Sequence, residues 1–96
     1  MRFLLDSVIL IDHFNGIEGA TRLLAERGDD AALSVITRAE VLTGFEERFE
    51  SQARALLDHS PTLPITLEVA ADAAKLRRSQ LWKLPDALQA AVARLG

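Results

Sequence analysis

The sequence predicts an α/β fold with a short parallel sheet, and three observations predict it. An apolar run, Phe3-Leu4-Leu5, stops at a carboxylate, Asp6, and gives way to a helix-compatible segment. A second apolar run of strand length, Ala31 to Ile36, arrives only after two helical segments. A third and very short run, Leu63-Pro64-Ile65, follows further helix. Strands separated by helices in this order pair as parallel neighbours through crossover connections.

The first element is a buried strand over Phe3 to Leu5. Asp6 and Ser7 are good helix starters, because their side-chain oxygens accept from the unpaired N–H groups of a first turn. Val8-Ile9-Leu10-Ile11 then forms one or two turns, which Gly16 stops. Ile17 to Arg27 reads as an amphipathic helix, with Ile17, Ala20, Leu23 and Leu24 at helical spacing. Gly28 ends it, and Asp29-Asp30 make a polar turn. The second strand is Ala31 to Ile36.

Thr37-Arg38-Ala39-Glu40 has the form of a capping box. It opens a helix carrying Val41, Leu42, Phe45 and Phe49 on one side. Ser51 to His59 continues as helix with Ala53, Leu56 and Leu57 inward, and Ser60-Pro61-Thr62 breaks it. The third strand contains Pro64, which suits an edge or entry position. A long helix runs from Thr66 to about Trp82, lined by Ala70, Ala73, Ala74 and Leu81. Leu84-Pro85-Asp86 begins the last helix, with Pro near its first position and Asp in its first turn. It runs on to Gly96.

The totals set bounds. Ninety-six residues, 49% of them hydrophobic, make one domain, residues 1–96, with enough apolar surface for a core. The chain has no Cys, which excludes disulfides, thiolate zinc sites and a thiol nucleophile, and fits a reducing cytoplasm. Met1-Arg2 opens no signal-peptide layout, and no stretch approaches the ~18 apolar residues of a membrane span. A net charge of −3 argues against bulk attraction to nucleic acid, so any such contact is local or metal-assisted.

Asp6, Glu40 and Asp86 are the candidate site residues. Each falls in the first turn or at the cap of an expected helix, and the first two directly follow expected strands. Helices that follow parallel strands all start at one sheet edge, where ligands of open α/β sheets bind. Each acid also has a plainer role open to it, as an N-cap, half of a capping box or a dipole partner. Crowded carboxylates repel unless a cation lies between them, and hard oxygen donors suit Mg2+ or Mn2+ rather than zinc. Spacing alone does not bring Asp86 to the other two. Ser7 is a possible extra hydroxyl, and Arg38 and the Lys75 to Lys83 cluster are possible phosphate contacts. Asp12 lies nearly two turns beyond Asp6 and faces elsewhere. His13 and His59 have no ligand-spaced partner. Trp82, beside Lys83, suits stacking on a base or, more plainly, a place in a core or interface.

Three stretches together resemble the PIN domain, in its VapC-like toxin branch: Leu4-Leu5-Asp6-Ser7-Val8-Ile9-Leu10-Ile11-Asp12, Ser34-Val35-Ile36-Thr37-Arg38-Ala39-Glu40-Val41-Leu42-Thr43-Gly44, and Leu84-Pro85-Asp86-Ala87-Leu88-Gln89-Ala90-Ala91. They occur in the family's order and at its usual separations, spanning nearly the whole chain. The resemblance implies a three-layer α/β/α fold and a metal-dependent ribonuclease. Asp6, Glu40 and Asp86 match the family's first three acidic metal ligands, and Ser7 its small hydroxyl residue. It also implies an RNA substrate, a cognate antitoxin that blocks the site, and commonly a homodimer.

Two departures stand out. Val8 occupies a position where the family often has Asn. The chain also stops at Gly96, where the family continues into a further strand and a loop with another Asp or Asn. By the resemblance this is a shortened PIN domain, with strand one unpaired along one side and inclined to self-association. The same departure supports a different reading, an inactive or weakly active module that dimerises or binds an antitoxin through Thr37–Phe49 and Ile17–Arg27. A phosphoacceptor receiver-like domain is a weak third reading, because that fold needs a five-unit βα repeat with a downstream Lys and the chain is too short for it.

Overall fold

The computed structural model describes residues 3–95, so the expectations for Met1-Arg2 and Gly96 lie outside the described residues. Three short strands form one parallel sheet in the order β1-β2-β3. Strand β1 is Phe3–Leu4, β2 is Ala31–Ser34 and β3 is Thr62–Leu63. The pairing is staggered. The first half of β2 takes β1, with Phe3 opposite Ala31 and Leu4 opposite Ala32. Its second half takes β3, with Leu33 opposite Thr62 and Ser34 opposite Leu63. All four residues of β2 are buried, as a central parallel strand requires. The far side of β1 pairs with no strand among the described residues.

Two helices connect β1 to β2: α1, Ser7–Phe14, and α2, Glu18–Arg27, the latter closed by a 3-10 turn at Gly28–Asp30. Gly16, at φ 79°, makes the left-handed turn between them. Helices α3, Val35–Thr43, and α4, Glu50–Leu57, connect β2 to β3, with a 3-10 turn at Glu47–Phe49 between them. After β3 come α5, Leu67–Gln80, and α6, Leu84–Leu95.

Side chains alternate across a strand, and that alternation divides the molecule into three layers. Leu5 and Leu33 pack with Leu10, Val41 and Leu57 under α1, α3 and α4. Leu4 and Leu63 turn the other way, onto Val69 and Ala73 of α5 and Ala87, Ala91 and Val92 of α6. The small alanines let α5 and α6 approach closely as an antiparallel pair. Arg94, in the last turn of α6, reaches back to Asp72 in the first half of α5.

Several elements differ from the sequence expectation. Strand β2 stops at Ser34, and Val35 and Ile36 open α3 instead. The capping box does not form. Ser34 is the cap, its hydroxyl accepting from the Thr37 amide at 3.0 Å, while Thr37 is buried inside the helix. Helix α3 ends before Gly44 rather than continuing to Phe49. Glycine is about 1 kcal/mol worse than alanine inside a helix, and leaving the helix lets the Phe45 ring meet Phe14 edge-on at 4.4 Å. Ile65 falls outside β3 because Pro64 has no N–H to continue the ladder; the edge position expected for that strand is observed. In α5, Val69 and Ala73 face inward, whereas Ala70, Ala74 and Leu81 are exposed. That helix ends at Gln80, because Leu81 adopts φ 58°. A left-handed leucine costs roughly 1–2 kcal/mol.

Candidate functional site

Asp6 follows β1 directly, as the N-cap of α1. Its Oδ1 accepts from the Val8 amide at 3.3 Å and from the Ser7 hydroxyl at 3.2 Å. Both bonds fall on one oxygen, and the residue is exposed. Ser7 itself is buried, so its hydroxyl orients Asp6 from beneath. Asp86 lies in the first turn of α6 and is also exposed. Eighty positions of sequence separate these acids, yet the fold brings them to one cavity of about 540 Å3, lined by Leu4, Asp6, Trp82, Asp86, Gln89, Ala90 and Ala93. The cavity lies at the C-terminal edge of β1, where helix starts gather in a parallel sheet.

What holds α6 against that edge is a polar network inside the molecule. Gln89, one turn beyond Asp86, accepts from the Ser34 hydroxyl at 2.6 Å on its Oε1. Its amide Nε2 donates to Thr37 Oγ1 at 3.1 Å and to the Leu5 carbonyl at 3.4 Å. Thr37 Oγ1 donates to the same carbonyl at 3.3 Å. Leu5 is the residue before Asp6, so the network ties the ends of β1 and β2 to α6 beside both acids. Ser34 and Thr37 are almost fully buried.

Residues 3–96 match the family model of the PIN domain. The chain belongs to the PIN-domain family. PIN domains are generally nucleases and typically depend on divalent metal. A solved structure of a toxin–antitoxin complex from Klebsiella pneumoniae contains a chain that superposes on this one with a TM-score of 0.88 and 32% sequence identity, covering 99% of this chain and 79% of that one. A comparison with curated proteins finds no significant match.

This PIN domain does not gather its three expected acids equally. Because Ser34 rather than Thr37 caps α3, Glu40 is the sixth residue of the helix, not a first-turn residue. Three residues advance a helix by about 4.5 Å, which carries Glu40 away from the strand end. It is exposed and does not line the cavity of Asp6 and Asp86. Among the described residues, no three His, Cys, Asp or Glu side chains are grouped to hold a metal. The two acids that share the cavity nonetheless suit Mg2+, which commonly takes one or two carboxylates and completes its shell with water and substrate phosphate.

Arg38 is half-buried and committed elsewhere, its guanidinium pairing with Asp58 at 2.7 Å and reaching the Thr62 hydroxyl at 3.5 Å. These bonds tie α3 to the end of α4 and to β3. His13 meets the Thr21 hydroxyl at 2.8 Å and joins α1 to α2, a structural role. Neither Asp12 nor His59 lines the cavity. Sequence reasoning passed over Gln89 and the pairing of Ser34 with it. The only signal available was a lone amide among alanines on an otherwise apolar helix face.

Proposed function

We propose that this PIN domain is the toxin of a toxin–antitoxin pair, a Mg2+- or Mn2+-dependent endoribonuclease acting in the cytoplasm. The observation that carries the proposal is the shared cavity of Asp6 and Asp86 at the C-terminal sheet edge. Asp6 and Asp86 are its primary metal ligands in this reading, and Glu40 is assigned as the third on its place in the family motif. A divalent ion there supplies an activated water and offsets the charge of an approaching phosphate. The chain's own contribution is positional. Val8 N–H and Ser7 orient the Asp6 carboxylate, and the Gln89 network fixes the helix that carries Asp86. Incubating a single-stranded RNA with the protein in Mn2+ tests the reading. Cleavage abolished by chelator and by Asp86→Ala supports it, and cleavage that persists in both overturns it.

A binding role accompanies this reading. The likeness to a chain from a toxin–antitoxin complex supports a protein antitoxin as the partner. A second cavity of about 380 Å3 lies between α1, α2 and α4, with the half-buried Leu24 and Leu56 in its wall, and offers such a partner an apolar seat. If the two-acid cavity holds no metal, this face defines the chain as an interaction module. The homodimer belongs to the same proposal.

A further inference from the structure

Trp82 lines the cavity that holds Asp6 and Asp86, and neither core packing nor the metal reading uses it. It lies in the three-residue connection between α5 and α6, just after the left-handed Leu81. That turn ends α5 with a bond from the Leu81 amide to the Arg77 carbonyl at 3.0 Å. The residue is 42% exposed, a large fraction for the one tryptophan of the chain. Its neighbours along the chain are cationic. Arg77 and Arg78 occupy the last turn of α5, and Lys83 is the next residue. All three are exposed, and none forms an ion pair among the described residues. Of the other cations among the described residues, the arginines at 22, 38, 48, 54 and 94 are paired, and Arg27 and Lys75 are not.

We infer that Trp82 is a stacking platform for an unpaired nucleobase beside the Asp6 and Asp86 carboxylates, with Arg77, Arg78 and Lys83 attracting the adjoining backbone. The inference rests on the nuclease reading and deepens it, because it names the residue that takes a base of the substrate. An aromatic face binds any base that is free of its neighbours, whereas a base inside a duplex has no free face to offer. Unpaired cations beside an aromatic ring are the usual composition of a single-strand groove. The acids supply the reacting centre, and the cations supply the attraction that the net charge of the chain denies.

The single tryptophan makes the contact directly readable. An unlabelled single-stranded RNA dodecamer of mixed sequence, titrated in chelator so that nothing is cleaved, is expected to quench the tryptophan emission. The same strand annealed to its full complement is expected to leave it nearly unchanged. By anisotropy of a labelled copy, Trp82→Ala is expected to weaken binding roughly 10-fold or more, and Trp82→Phe to retain it within a few-fold. Circular dichroism of both variants checks that the helices remain. Cleavage by the parent chain in Mn2+ is measured alongside. Normal cleavage with no emission change and an unaffected Trp82→Ala overturns the platform and leaves the nuclease reading standing. Quenching without cleavage supports the platform and overturns the nuclease reading. Absence of both binding and cleavage overturns both.

Discussion

At the scale of the residue, the proposed chemistry rests on Asp6 and Asp86, and the placement of Asp86 on Gln89. Replacing either acid removes one of the two carboxylates in the cavity. Asp6→Asn and Asp86→Asn are each expected to lower Mn2+ affinity and cleavage by about 100-fold or more, beyond the loss that supporting residues of metal sites usually cause. Gln89 makes a different prediction. Gln89→Leu leaves the Ser34 and Thr37 hydroxyls with fewer partners in the interior, and an unsatisfied buried polar group costs about 1–3 kcal/mol. Urea unfolding of this variant should show a lower midpoint with an unchanged slope. Loss of cleavage in that variant would follow from displacement of Asp86, since Gln89 bonds to the carbonyl just before Asp6.

At the scale of the element, the cap of α3 decides where Glu40 stands. Ser34 accepts from the Thr37 amide, so Ser34→Ala should destabilise the protein by about 1–2 kcal/mol. Glu40→Ala should leave thermal stability nearly unchanged, because no capping bond involves Glu40. The opposite ranking in thermal melts would restore the capping box. This boundary was hard to read from sequence for a physical reason. Ser34 and Thr37 are both good caps, and the β-branched Val35 and Ile36 between them favour a strand by propensity. The choice is tertiary: Thr37 is bonded to Leu5 and Gln89, which are 32 and 52 positions away. The end of α5 offers another test. Leu81 is 88% exposed at φ 58°, so Leu81→Gly should relieve strain without losing packing. A gain of about 1 kcal/mol corresponds to a rise of roughly 4–8 °C in Tm for a domain of this size.

At the scale of the whole molecule, the three layers follow from features that sequence carries openly. Apolar runs of strand length alternate with helical periodicity, and the break at Asp6 between two apolar segments marks the end of the first strand. The alternation of Leu4 and Leu5 across the sheet then assigns one core to α1–α4 and another to α5–α6. The candidate site was legible only in part. Asp6 reads directly as a carboxylate between strand and helix, but nothing in the spacing places Asp86 or Trp82 at the same cavity. That placement depends on α6 folding back along α5 and being fixed by Gln89. Glu40 illustrates the converse, since a motif read from sequence put it a turn closer to the strand end than the fold does. The linked prediction for the whole chain is thermal. A metal that binds only the folded state at about 100 times its Kd should add about 2.7 kcal/mol of stability, and Mn2+ should therefore raise the Tm of the parent chain and not that of Asp86→Ala.

The central claim is that Asp6 and Asp86 form one divalent-metal site, and calorimetric titration of Mn2+ tests it most directly. Saturable binding to the parent chain that is lost in both Asp6→Asn and Asp86→Ala is the predicted result. A parent chain that binds no Mn2+, or binding that survives both substitutions, would contradict it.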